Sequence, residues 1–173
     1  MATRRAFILK STVLTVISGV GACGFRPLLY KEGGETISGE LAAIHVTGLS
    51  GRLGQHLRIA LDENLNPTSS NVPDRYELAI RLTNTNSALA IQLDNTITRY
   101  NLALTAGFQL KDWFDDSVLY GSSVRRVASY NVRRAPFATL TAQKDAERRA
   151  AEEIADDIRT LLALHFQRKS SKA

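Results

Sequence analysis

Arg75-Tyr76-Glu77-Leu78-Ala79-Ile80-Arg81-Leu82-Thr83 alternates without a break. Tyr76, Leu78, Ile80 and Leu82 are apolar, and the residues between them are polar or small. Side chains along a strand point to opposite faces in turn, so this segment is expected to be a strand with one buried and one polar face. Thr98–Leu110 repeats the pattern. Tyr100, Leu102, Leu104, Ala106, Phe108 and Leu110 fall on one side, and Arg99, Asn101, Ala103, Thr105, Gly107 and Gln109 on the other. Ser117–Val132 is a third such segment, with Val118, Tyr120, Val124, Ala128, Tyr130 and Val132 in phase. Arg126 interrupts its apolar side, which predicts a bulge or a strand end there. Asn84–Ser87 reads as a polar kink, after which Leu89, Ile91 and Leu93 resume the period of two. Turns at Asp94-Asn95 and Lys111–Asp116 are short, so these strands should be antiparallel neighbours.

Upstream, Leu41–Thr47 reads as a strand and Gly48–Gly51 as a turn, with Ser50 placed to cap a helix. The spacing of Leu53, Leu57, Ala60 and Leu61 predicts a helix over Arg52–Asn64, ended by Asn66-Pro67. Downstream, Arg133–Phe137 breaks the pattern. A long helix is then predicted over Thr141–Gln167, with Ala151, Ile154, Ile158, Leu161, Leu162 and His165 on its apolar stripe. A strand–helix–strand unit favours a right-handed crossover between parallel strands. The expected fold is α+β: a mixed four-stranded β-sheet with two α-helices packed on one face, in a domain over residues 41–168. That leaves the other face uncovered, with Arg81, Arg99, Asn101, Thr105 and Arg125 on it. It reads either as a solvated face or as a docking face for a polar partner.

The N-terminal segment is of a different kind. Arg4, Arg5 and Lys10 precede an apolar run, Ser11–Ala22, which ends in Gly21-Ala22 before Cys23. A basic head, a short apolar core and small residues before a cut site make a secretory leader. The run is shorter than the roughly 20 apolar residues that cross a bilayer. Cys23 is the chain's one cysteine. Its position directly after the small pair is similar to a bacterial lipobox, so residues 1–22 are expected to be removed and Cys23 acylated. Two or more acyl chains would hold the protein stably on its membrane. Gly24, and not an aspartate, follows the cysteine, which by analogy points to the outer membrane. Thr3–Lys10 resembles a twin-arginine export signal and equally fits an ordinary basic leader. Residues 23–40 read as a tether and 169–173 as a frayed end.

The formal charge of +5 comes from 22 basic and 17 acidic residues. The leader takes three of the basic residues and none of the acidic ones, leaving +2 on the mature chain. With no concentrated basic face bearing stacking aromatics, a nucleic-acid partner is not expected. His45, His56 and His165 fall on separate elements without metal-ligand spacing. No phosphate-binding glycine loop or nucleophile elbow is present. The sequence therefore predicts no metal, no cofactor and no enzyme.

Ala22-Cys23-Gly24-Phe25-Arg26-Pro27-Leu28-Leu29-Tyr30 resembles the mature start of the LptE lipopolysaccharide-assembly lipoproteins, Cys-Gly-Phe-x-Pro-Leu-Tyr, with one extra leucine. The size and the order of elements are similar too. The resemblance implies a domain that plugs the lumen of the outer-membrane β-barrel LptD and helps to assemble it for lipopolysaccharide delivery. It also implies lipopolysaccharide contact through basic residues near strand ends. The matching positions, near Ile91–Gln92 and Ala142, are not basic here, and Arg133, Arg134 and Lys144 are the nearest basic substitutes. The alternatives are an accessory lipoprotein of another envelope lipid transporter and a soluble-ligand carrier.

Overall fold

The computed structural model describes residues 37–91 and 97–171. The leader, Cys23, most of the tether, the Asp94-Asn95 turn and the last two residues lie outside them. In chain order the elements are α1 (Ile37–Ala42), β1 (Ile44–Thr47), α2 (Gly51–Leu65), β2 (Tyr76–Ile91), β3 (Ile97–Asp112), β4 (Val118–Asn131) and α3 (Pro136–Ser170). The sheet order is β1-β2-β3-β4. β1 runs parallel to β2, and β2, β3 and β4 are antiparallel to their neighbours. The fold is the mixed four-stranded α+β sheet that the alternation implied, with a third, short helix.

That helix corrects the reading of the tether. Residues 23–40 read as a tether, yet Ile37 and Leu41, four residues apart, are both buried. Glu40 accepts a hydrogen bond of 2.8 Å from the Tyr76 hydroxyl and lies 3.7 Å from the Arg75 guanidinium. Packed structure is thus present from Ile37, ahead of Leu41, and β1 is shorter than expected. The other end changes as well: α3 continues through Lys169 and Ser170, two residues read as part of a frayed end.

Three further expectations change. β2 passes through Asn84–Ser87 without a kink, because each of these residues pairs in register with β3, Asn84 opposite Leu104 and Ser87 opposite Asn101. Its irregularity lies further on, between Ala88 and Ile91. β4 shows no bulge at Arg126, which pairs directly with Leu104. Its side chain turns to the helical layer and binds Asp157 of α3 through two bonds of 2.6 Å. α3 begins at Pro136, ahead of the expected Thr141. Proline at the first helical position loses no hydrogen bond there, since that N–H has no intrahelical partner in any case.

The even-numbered side chains of β3 form the floor of the core: Leu102, Leu104, Ala106, Phe108 and Leu110 are buried. Leu57 and Leu61 of α2 cover them together with Ile154, Ile158 and Leu162 of α3. Alanines at 146, 150, 151 and 155 are buried along α3 and keep its side-chain layer thin. Arg52 bonds Glu147 at the start of α2, and Asn64 bonds Asp156 at 2.9 Å near its end. Both pairs advance in the same direction, so the two helices run parallel. Ser50 is the N-cap of α2 by position but makes no side-chain capping bond. At the C-terminal end of α3, His165 stacks on Tyr120 with centroids 4.8 Å apart. Burial, then the charges of Lys169 and Arg168, hold its pKa below the ordinary imidazole value. Burial and the bond to Glu40 push the Tyr76 hydroxyl up to about 12.

Candidate docking face

The odd-numbered residues of β2, β3 and β4 meet no second layer among the described residues. The register sets them in rungs across the sheet: Arg81, Gly107 and Ser123; Thr83, Thr105 and Arg125; Thr85, Ala103 and Val127; Ser87, Asn101 and Ser129. All five residues assigned to this face from the sequence do lie on it. Thr105 and Arg125 are direct cross-strand neighbours. Asn101 accepts a 2.6 Å bond from the Ser129 hydroxyl. Arg99 stands one rung beyond Asn101, opposite Asn131. Arg81, Arg99 and Arg125 are exposed and make no ion pair with another described residue. Glu77 at the edge of the face accepts a 2.7 Å bond from the Thr47 hydroxyl of β1.

Between Arg81 and Gln109 the face sinks into an open depression of ≈ 560 Å³, lined by Ala79, Gly107 and Gly121 with Gly48 at its edge. Two of these glycines have opposite reasons for being there. Gly48 has φ +79°, and a Cβ on it would sit 2.7 Å from the Ile80 carbonyl oxygen, so the β1–α2 turn requires glycine. A Cβ on Gly107 would meet nothing within 4 Å. Glycine in a strand interior weakens it, and it marks places where another chain approaches closely. Packing among the described residues therefore gives no reason for glycine at 107, and its absent side chain keeps the depression open.

The basic residues offered for phosphate are not drawn into one site. Arg133 and Arg134 are exposed on the link between β4 and α3. The Arg133 backbone is held by the Thr139 hydroxyl, 2.9 Å from its N–H. Lys144 is exposed eight residues along α3, about 12 Å up the helix axis from Pro136. Phe137 and Leu140 between them are also exposed, so this end of α3 mixes cations with apolar surface. That mixture escaped the sequence reading, because a helix expected only from Thr141 left Phe137 in a loop. Among the described residues, no group of three or more His, Cys, Asp or Glu could hold a metal ion. None of the described helices is long and apolar enough to cross a membrane.

The LptE lipopolysaccharide-assembly family model matches residues 41–162, most of the domain just described. The chain belongs to the LptE family. Its fold is similar to that of a candidate lipoprotein from Caulobacter crescentus CB15, at 27% identity and a TM-score of 0.65 over 77% of this chain and 96% of that one. Rare lipoprotein B from Shewanella oneidensis shares the fold at 13% identity and a TM-score of 0.51, covering 75% of this chain and 97% of that one. Lipoprotein B from Nitrosomonas europaea does so at 12% identity and a TM-score of 0.55, covering 80% and 92%. The comparison with curated proteins gives no match. The matched span runs from within α1 through Leu162 of α3, so the family's domain includes the whole uncovered face.

Proposed function

We propose that this LptE-family chain is a non-catalytic outer-membrane lipoprotein. It is anchored through Cys23 and seats its uncovered sheet face inside an LptD-like β-barrel, supporting the barrel's assembly and the delivery of lipopolysaccharide. The observation that carries the reading is the pairing of a helix-backed sheet with a second face built of small polar residues and one depression. The lumen of an outer-membrane barrel is polar and water-lined. A face of Asn101, Thr105, Gly107 and Ser129 offers such a wall hydrogen-bonding groups and little bulk. Arg81, Arg99 and Arg125 add donors suited to carboxylates or carbonyls on the wall. Arg133, Arg134 and Lys144, beside exposed Phe137, are the positions offered for lipopolysaccharide phosphates and acyl chains.

The test is co-purification from detergent-solubilised outer membrane. A large barrel protein should be recovered with the full chain, and intact mass should show a lipid adduct on Cys23. If no barrel is recovered, the accessory lipoprotein of another lipid transporter becomes the better description. If the mature protein carries no lipid, the anchor is wrong.

A further inference from the structure

The β3–β4 hairpin tip, residues 113–117, has no part in the docking face. Phe114 is 86% exposed and Trp113 45%, with Val118 exposed beside them. The tip is firmly held. Asp112 N–H donates to the Ser117 carbonyl at 2.9 Å, and Phe114 N–H to the Asp112 carboxylate at 2.9 Å. Ser117 donates to Asp115 from both its N–H and its hydroxyl. The Trp113 ring meets His45 edge-on at 5.6 Å, and its backbone N–H donates to the Arg75 carbonyl. The two aromatic rings are therefore presented to the outside by a closed turn.

The position of the tip gives its exposure a meaning. Arg75 lies against Glu40 of α1, the first described element. Tyr76 next to it binds Glu40 and packs at a tilt against Phe166 near the end of α3, with ring centroids 5.2 Å apart. The chain thus enters the domain at the same end as the tip. From Cys23 to Ile37 is 14 residues, which span at most about 50 Å even when fully extended. A domain anchored at Cys23 keeps this end within that distance of the bilayer. Tryptophan and other aromatics gather at the membrane–water interface, where one part of the ring is apolar and the other wet. Around the tip, the acids Asp112, Asp115 and Asp116 are matched by Lys111, which pairs with Asp116, by Arg75, whose carbonyl binds Trp113, and by Lys169 over the Tyr76 ring, so neither sign of lipid charge is favoured.

We infer that Trp113 and Phe114 seat in the headgroup region of the phospholipid bilayer that holds the anchor, fixing which end of the domain faces the membrane. The inference rests on the Cys23 anchor of the proposed function and is independent of the barrel.

Trp113 is the chain's one tryptophan and so reports its own surroundings. The full-length mature protein is reconstituted into phosphatidylcholine vesicles with plain or brominated acyl chains. Emission should be bluer than in detergent-free buffer and clearly quenched by the brominated lipid. Phe114→Asp should abolish most of the quenching with no change in melting, and Phe137→Asp at the far end of the domain should leave it intact. Adding phosphatidylglycerol should change little. Equal emission in the two kinds of vesicle would overturn the inference. So would quenching that survives Phe114→Asp undiminished, since the tip would then not be held in the bilayer by its aromatic pair. Intact mass reports the anchor separately, so a failed anchor and a failed tip are told apart.

Discussion

Asn101 and Leu102 are neighbours on β3, and the strand turns them to opposite sides. Leu102 belongs to a row of five buried side chains under two helices, while Asn101 belongs to a row that no other layer of the described residues covers. Both rows have the same backbone, the same strand partners and the same length. On the covered row the side chains are apolar, four of the five large, and each buried leucine contributes about 1.5–3 kcal/mol by leaving water. On the open row they are Asn101, Ala103, Thr105, Gly107 and Gln109, which gain little from the fold. The covered face accounts for stability, and the open face is left to account for what the domain does.

Substitutions that separate the two faces test this difference. The largest effect belongs on the covered side. Ile158 is fully buried between α3 and the sheet, and Ile158→Ala should cost about 2–5 kcal/mol by denaturant unfolding. A variant melting like the parent would mean that α3 is not packed on this row.

A smaller effect lies at the rim of the covered layer. The pKa of His165 is held below the ordinary imidazole value by burial and by Lys169 and Arg168. As pH falls through about 6.5, the unfolded chain takes up this proton first. Its contribution is therefore present above that pH and is lost as pH falls toward the folded pKa. His165→Gln should flatten the stability profile between pH 7 and 5 relative to the parent. An unchanged slope would assign the pH dependence to other groups.

The smallest effect on folding is expected on the open face. Thr105→Arg adds bulk to an uncovered rung and should change stability by no more than about 0.5 kcal/mol. It should nevertheless reduce recovery of the barrel partner. A large loss of stability would show that the open face is coupled to the core after all.

The period of two assigned most of both faces, because burial on one side of a sheet imposes a pattern that single residues carry; Leu89 and Val118, read in phase with the apolar rows, are instead exposed towards the strand ends. Every residue placed on the open face from parity alone lies there. What parity could not supply was tertiary support. Ile37 and Leu41 make one turn of apolar stripe, too short to signal a helix, and α1 exists because both pack into the core. Asn84–Ser87 has low strand propensity and is held extended by its partners on β3. Arg126 looked like a defect on an apolar row because its partner, Asp157, is 31 residues away on α3. The tip at Trp113-Phe114 was read as a connection, since sequence alone does not tell an exposed aromatic from one folded back onto the domain.

The most direct test of the central claim is Gly107→Val, read by a melting curve and by barrel recovery from the same membranes. The strand leaves room for the side chain, and glycine costs a strand interior roughly 0.5–1 kcal/mol relative to alanine. The account predicts a variant as stable as the parent or slightly more so that recovers less barrel, because the valine fills the depression the partner would enter. Full recovery of the barrel by a folded Gly107→Val protein would contradict it and place the docking surface elsewhere on the domain.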